Sequence, residues 1–202
     1  MNIIQVGSHK GYDDFTNIVK SYQTNQINFL LLIEPNSKFN DQLKQCYDGY
    51  NAIIQNIVIV DDDNLKNIKY YNCDENIYPD KPGSNYSELS SLFKENILKH
   101  YVKPEAIIEQ WVECSTINNI LEKYNLKELD ILFIDTEGFD LKLIKSIDFD
   151  KYKIKKIYYE NLHINNEEAK SFLTSNGYII NNNILYNGWT NEAIKIFKES
   201  NI

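Results

Sequence analysis

The stretch LFIDTEGFDLKLIKSI, residues 132–147, decides how the chain is read. From Asp130 to Ile134 it is a short apolar run that reads as a buried strand. The run stops at Asp135-Thr136-Glu137-Gly138 and passes straight into an apolar helix. A strand that ends in acids and a glycine and feeds a helix is one βα unit of a parallel sheet.

The same unit recurs on either side. Downstream, residues 154–159 form a strand that ends in Glu160-Asn161. Upstream, residues 2–6 run into Gly7, and a helix follows with Phe15, Ile18, Val19 and Tyr22 on one face. Residues 29–33 end at Glu34, and Pro35-Asn36-Ser37 opens the next helix, with Phe39, Leu43, Cys46 and Tyr47 as its buried stripe. Residues 52–72 read as a third strand continuing into a hairpin that turns at Asp62 to Asn64. A run ending at residues 113–115 precedes a helix with Ile117, Ile120, Leu121 and Tyr124 at helical spacing. After a last helix around Ala169, Phe172 and Leu173, residues 177–187 and 192–198 read as a closing antiparallel pair. The prediction is an α/β fold: a doubly wound, mainly parallel sheet with an antiparallel C-terminal strand pair.

At 202 residues, with 43% apolar content, the chain suits a single domain over residues 1–202. Residues 73–111, with two prolines, a glycine, several serines and the helical-looking SLFKENILKH, are read as an inserted, lid-like segment near the site. The longest apolar run, residues 29–33, is far below the ~20 residues of a membrane span. MNIIQVG lacks the basic and apolar regions of a secretory signal, so no membrane insertion and a cytoplasmic location are expected. Cys46, Cys73 and Cys114 form no CxxC pair and are read as reduced, buried thiols. Asn85-Tyr86-Ser87 matches a glycosylation triplet that carries no weight in a chain read as cytoplasmic. A net charge of -8 without a basic stripe argues against nucleic acid as a partner.

In open α/β sheets ligands bind outside the carboxyl ends of the strands, where this chain keeps its polar residues. The loop IIQVGSHKG has glycines at 7 and 11 and lacks the middle glycine that makes room for a pyrophosphate, which points to a cofactor without phosphates. Glu34 can accept two hydrogen bonds from a ribose diol. Asp135, Glu160 and Asn161 meet over the same crevice and suit a hard divalent cation such as Mg2+, which would lower the pKa of an alcohol. Alternatively, Asp135 caps the helix near Gly138 or touches cofactor, while Glu160 and Asn161 satisfy loop backbone. His163 is a candidate general base. His9 lies in the glycine loop, and His100 ends the inserted helix.

Together these motifs resemble the FkbM family of methyltransferases, a branch of the Rossmann-like class I enzymes that use S-adenosylmethionine. The similar stretches are IIQVGSHKGY (3–12), LLIEPN (31–36), NIVIVDDDN (56–64), SSL (90–92), STINNIL (115–121), residues 132–147 and YYENLH (158–163). The acid-x-Glu-Gly after the fourth strand is the most specific of them. The resemblance implies that Gly7, Ser8 and Gly11 line the methionine part of the cofactor, that Glu34 holds its ribose, and that Asn56 and Asp61 lie near its adenine. Gln5 stands where the family loop usually has an acid, at the cofactor's amino end. Asp135 would serve cofactor binding or catalysis, with Glu160 and His163.

The implied reaction is transfer of a methyl group to a hydroxyl of a sugar, glycan-type or other small-molecule acceptor, with the inserted segment shaping the acceptor pocket. Tyr78, Tyr86, Phe93, Tyr101 and Trp111 are candidates to stack on a sugar ring. A degenerate, non-catalytic binding module is the alternative that Gln5 suggests. A nucleotide-dependent oxidoreductase is disfavoured by the glycine spacing and by the acids at the fourth and fifth strand ends.

Overall fold

The computed structural model describes residues 1–79, 86–185 and 188–197. Residues 80–85, which include Asn85 of the glycosylation triplet, and residues 186, 187 and 198 of the expected closing pair lie outside the described residues.

The main sheet has seven strands. They are β1 (Asn2–Val6), β2 (Phe29–Ile33), β3 (Ile53–Gln55), β8 (Glu128–Ile134), β9 (Lys153–Glu160), β10 (Tyr178–Leu185) and β11 (Thr190–Lys195), in the order β10-β11-β9-β8-β1-β2-β3. From β3 to β9 neighbouring strands are parallel, and the C-terminal pair β10 and β11 adds on antiparallel, as the sequence predicts. The chain winds outward from β1 to β3 and returns to β8 on the other side of β1. That reversal opens a crevice between the carboxyl ends of β1 and β8.

The apolar runs are strands because both faces of the sheet are covered. On β1, β2 and β8, Ile3, Leu30, Leu32, Ile131 and Phe133 pack against α1 (Asp14–Lys20) and α2 (Asn40–Cys46) through Phe15, Val19, Leu43 and Cys46. The alternate residues Ile4, Val6, Leu31, Ile33, Leu132 and Ile134 face α4 (Ile117–Lys123), α5 (Asp140–Ser146) and α6 (Asn166–Ser175). The three cysteines are buried.

The expected hairpin at Asp62 to Asn64 is corrected. The chain leaves the main sheet after β3, and β4 (Val58–Val60) pairs in parallel with β7 (Ile107–Thr116). On the far side of β7, β5 (Asn67–Cys73) pairs antiparallel with it and carries β6 (Ser90–Ser91) on its outer edge. The result is a second sheet, β4-β7-β5-β6, in which β7 separates the two strands expected to form a hairpin. A turn does form, with Asp62 Oδ1 accepting from Asn64 N at 2.9 Å. Its chemistry specifies a change of direction but not a pairing partner. The helix expected within SLFKENILKH is α3 (Lys94–Leu98). Among the described residues no helix is long and apolar enough to cross a membrane.

Candidate active site

A cavity of about 410 Å3 lies over the carboxyl ends of β1, β2 and β8, a size suited to a small molecule. Its back is made by Gly7. The N–H groups of Gly7 and Ser8 donate to Ile33 O at 2.9 and 3.1 Å, folding the loop over the end of β2. Gly7 sits at φ +82, and a Cβ there would lie 1.8 Å from the carbonyl oxygen of Asp135. Only glycine lets the loops after β1 and β8 come this close.

Glu34 also lines the cavity. Its Oε2 accepts from His9 N and its Oε1 from Asn36 N, each at 2.8 Å. Those bonds fix the carboxylate and leave lone pairs for a ligand diol. Burial pushes its pKa up to about 7, against the weaker opposing pull of the two backbone N–H groups and Lys38. Asn56 lies behind this wall, where its Nδ2 donates to Glu34 O at 2.8 Å and its amide pairs with Asn40. The cavity surface beyond it is apolar, from Ile57, Val58 and Ile59, while Asp61 is exposed and outside the lining.

Gln5 and Ser8 are wholly buried and do not line the cavity. Ser8 Oγ turns toward Gln5 O at 3.4 Å. Gln5 Nε2 donates to Asp13 Oδ2 at 2.9 Å, and Asp13 is part of the cavity wall. The acid at this end of the cavity is therefore Asp13, which also caps α1 by accepting from Thr16 N at 2.7 Å. Gly11, His9, Tyr12 and Tyr70 complete the polar and aromatic lining. None of the five aromatics singled out in the inserted segment lines it. Tyr78 and Tyr86 pack on each other at 4.9 Å, Phe93 packs on Phe139 at 5.9 Å, and Tyr101 and Trp111 are exposed. From that segment the cavity takes Ser90, Ser91 and Leu92.

The floor is acidic. Asp135, Glu137 and Glu160 each offer a carboxylate oxygen within 4.8 Å of the others, and Asp135 and Glu137 line the cavity. Glu160 sits at its edge, its pKa pushed well above the carboxylate range by burial and then by Asp135, Glu137 and Asp140. Glu137, the member of this group that sequence reasoning did not single out, has φ +52. That backbone is held because Glu137 O accepts from Asn96 Nδ2 at 2.6 Å and from Ser91 Oγ at 3.1 Å. Asn161, expected beside Asp135 and Glu160, directs Nδ2 at Gly188 O and Asn191 Oδ1, at 3.2 and 3.1 Å.

Asp140 ties the cluster together. Its Oδ2 accepts from Thr136 Oγ1 at 2.7 Å and Thr136 N at 3.3 Å, and its Oδ1 from Glu160 N at 3.2 Å. Burial pushes its pKa up to about 6 despite these bonds. His163 stands outside the lining, with Nε2 3.3 Å from Glu137 Oε2. The His100 ring lies edge-on to it at 5.8 Å.

The sequence model described as the methyltransferase FkbM domain matches residues 5–180. The fold is similar to the crystal structure of methyltransferase FkbM from Methylobacillus flagellatus KT, with a TM-score of 0.55 and 11% identity, over 96% of this chain and 43% of that one. This chain thus spans less than half the length of that protein, and at this identity the likeness is one of fold. No curated protein sequence matches the chain.

Proposed function

The chain belongs to the FkbM methyltransferase family, and from that premise we propose that its strand-end cavity binds S-adenosylmethionine and that it methylates a hydroxyl of a sugar or glycan-type acceptor. The observation that carries this reading is the Glu34 carboxylate, buried at the end of β2, held by two backbone N–H groups and part of the cavity wall. Such a group recognises a ribose diol. Beside it, Ile57, Val58 and Ile59 offer an apolar surface for a purine, and Asp13, at the other end, offers a carboxylate to the cofactor's ammonium group.

In the proposed reaction the acceptor oxygen attacks the methyl carbon, the carbon–sulfur bond breaks toward the sulfonium sulfur, and the hydroxyl proton is taken up by a base. We assign that proton to Asp135 or Glu137, the acids of the cluster that reach the cavity. The rest is positioning, for which a fixed cavity suffices. A divalent cation held by Asp135, Glu137 and Glu160 would polarise the acceptor hydroxyl and lower its pKa. The buried, unpartnered Glu160 Oε2 suits that role.

Incubating the protein with methyl-labelled S-adenosylmethionine and a panel of sugars, glycans and other small-molecule alcohols tests the reading. Labelled product from a sugar, absent without enzyme, supports it. Cofactor binding with no transfer to any hydroxyl would favour the non-catalytic module, and turnover only on non-sugar alcohols would replace the acceptor class.

A further inference from the structure

His100 Nε2, His163 Nε2 and Glu160 Oε2 are buried atoms, and none has a hydrogen-bond partner. A buried polar atom left unsatisfied is costly, so two such imidazole nitrogens on rings 5.8 Å apart point to a bound group that satisfies them. His100, Glu137 and His163 each bring one potential ligand atom within 4.8 Å of the others, as do Asp135, Glu137 and Glu160, and the two triads share Glu137.

His163 Nε2 lies 3.3 Å from Glu137 Oε2 yet is not aligned to hydrogen-bond to it. Two donors on one tetrahedral ion, at bond lengths of about 2.0–2.1 Å, stand about 3.3 Å apart. Glu160 is only 9% exposed, so its unpartnered oxygen has little access to bulk water. The scaffold is also tight: a Cβ on Gly138 would come 2.7 Å from Asn96 Nδ2 and 3.1 Å from His163 Cβ. The turn after α3 thus brings His100 to Glu137 and His163, in the loops after β8 and β9.

We infer that His100, Glu137 and His163 bind a divalent first-row transition-metal ion of the zinc kind, with Glu160 next to them in the acid triad that shares Glu137. Imidazole nitrogen suits such ions. Magnesium, which takes oxygen ligands and keeps several waters, would leave both imidazoles unused. The ligand set stands apart from the identity of the cofactor, whereas a role for the ion in methyl transfer rests on the function proposed above. In that role Glu137 links the ion to the cavity, and His163 is a ligand instead of a general base.

The test uses the whole chain, stripped with a chelator and titrated with ZnCl2 by calorimetry, with elemental analysis after dialysis and MgCl2 in parallel. The expected result is one equivalent of Zn2+ bound with Kd on the order of 1 μM or tighter. Binding weakens at least about tenfold in His100→Asn and in His163→Asn, with metal-free unfolding midpoints unchanged. Should either histidine variant fail to fold, Glu137→Gln takes its place with the same expected loss. No stoichiometric Zn2+ on the wild type, equal affinity in the variants, or binding of Mg2+ as tight as that of Zn2+ would each overturn the inference. Titrating the same sample with S-adenosylhomocysteine separates the two proposals: its binding without zinc removes the metal site alone, and zinc without its binding removes the cofactor reading alone.

Discussion

The Gln5 side-chain amide donates to the Asp13 carboxylate at 2.9 Å, from a position wholly inside the protein to one on the cavity wall. The neutral residue in β1 thus orients an acid brought by the start of α1. Asp13→Asn, which keeps an oxygen to cap α1, is expected to weaken S-adenosylhomocysteine binding about tenfold, on the order of 1.4 kcal/mol, with little change in the unfolding midpoint. Gln5→Glu would set two carboxylates against each other in a buried pair and lower stability. Calorimetry and thermal unfolding of both variants read these effects; unchanged binding in Asp13→Asn would remove Asp13 from the site.

Gly7→Ala is expected to damage the fold itself. The added Cβ meets the Asp135 carbonyl at 1.8 Å with backbone at φ +82, so both strain and collision act. A loss of about 3 kcal/mol or more is expected, lowering the melting temperature by roughly 6–12 °C. A melting curve superimposable on wild type would show that the two loops are not packed as described.

The pH dependence follows from Glu34, whose pKa burial raises from 4.5 to about 7. Between those values the folded protein keeps a proton that the unfolded chain has released, so this group makes unliganded stability fall as pH rises through the window. Ligand binding has the opposite sign, because a diol donates best to the ionised carboxylate. Affinity for S-adenosylhomocysteine should fall by up to about tenfold per pH unit below 7 and level off above it. Titrations from pH 5.5 to 8.5 check this, and Glu34→Gln should flatten both profiles while binding weakly throughout.

Asp140 is buried, and three donors from Thr136 and Glu160 converge on it. Asp140→Ala leaves them unsatisfied, and a loss of about 2–4 kcal/mol is expected in urea unfolding. An unchanged midpoint would mean that the loop after β8 and the end of β9 are held together by something else.

How much of this was legible in the sequence varies by element. β1, β2, β8 and β9 are readable because their apolar runs are buried on both faces and end in glycine or acid, features written within a few residues. The second sheet is not, because β4 and β5 find their common partner in β7, far downstream, and the turn at Asp62 to Asn64 is silent about it. Gln5 was expected at the cofactor, but strand alternation puts it on the same face as Ile3, under α1, so its amide reaches Asp13. Glu137 was visible within the acid-x-Glu-Gly motif, yet its inclusion in the acid cluster depends on a left-handed backbone and on Asn96 and Ser91 from the second sheet. Nothing local announces that His100 meets His163, since that contact depends on how the inserted segment folds back.

The most direct test of the central claim is calorimetric titration of the wild-type chain and of Glu34→Ala with S-adenosylmethionine and S-adenosylhomocysteine, with NAD as control. Micromolar binding of both methyl-cycle ligands, on the order of 8 kcal/mol, is expected, with loss of binding in the variant and none for NAD. Absence of heat with either ligand, or binding of NAD in their place, would contradict it.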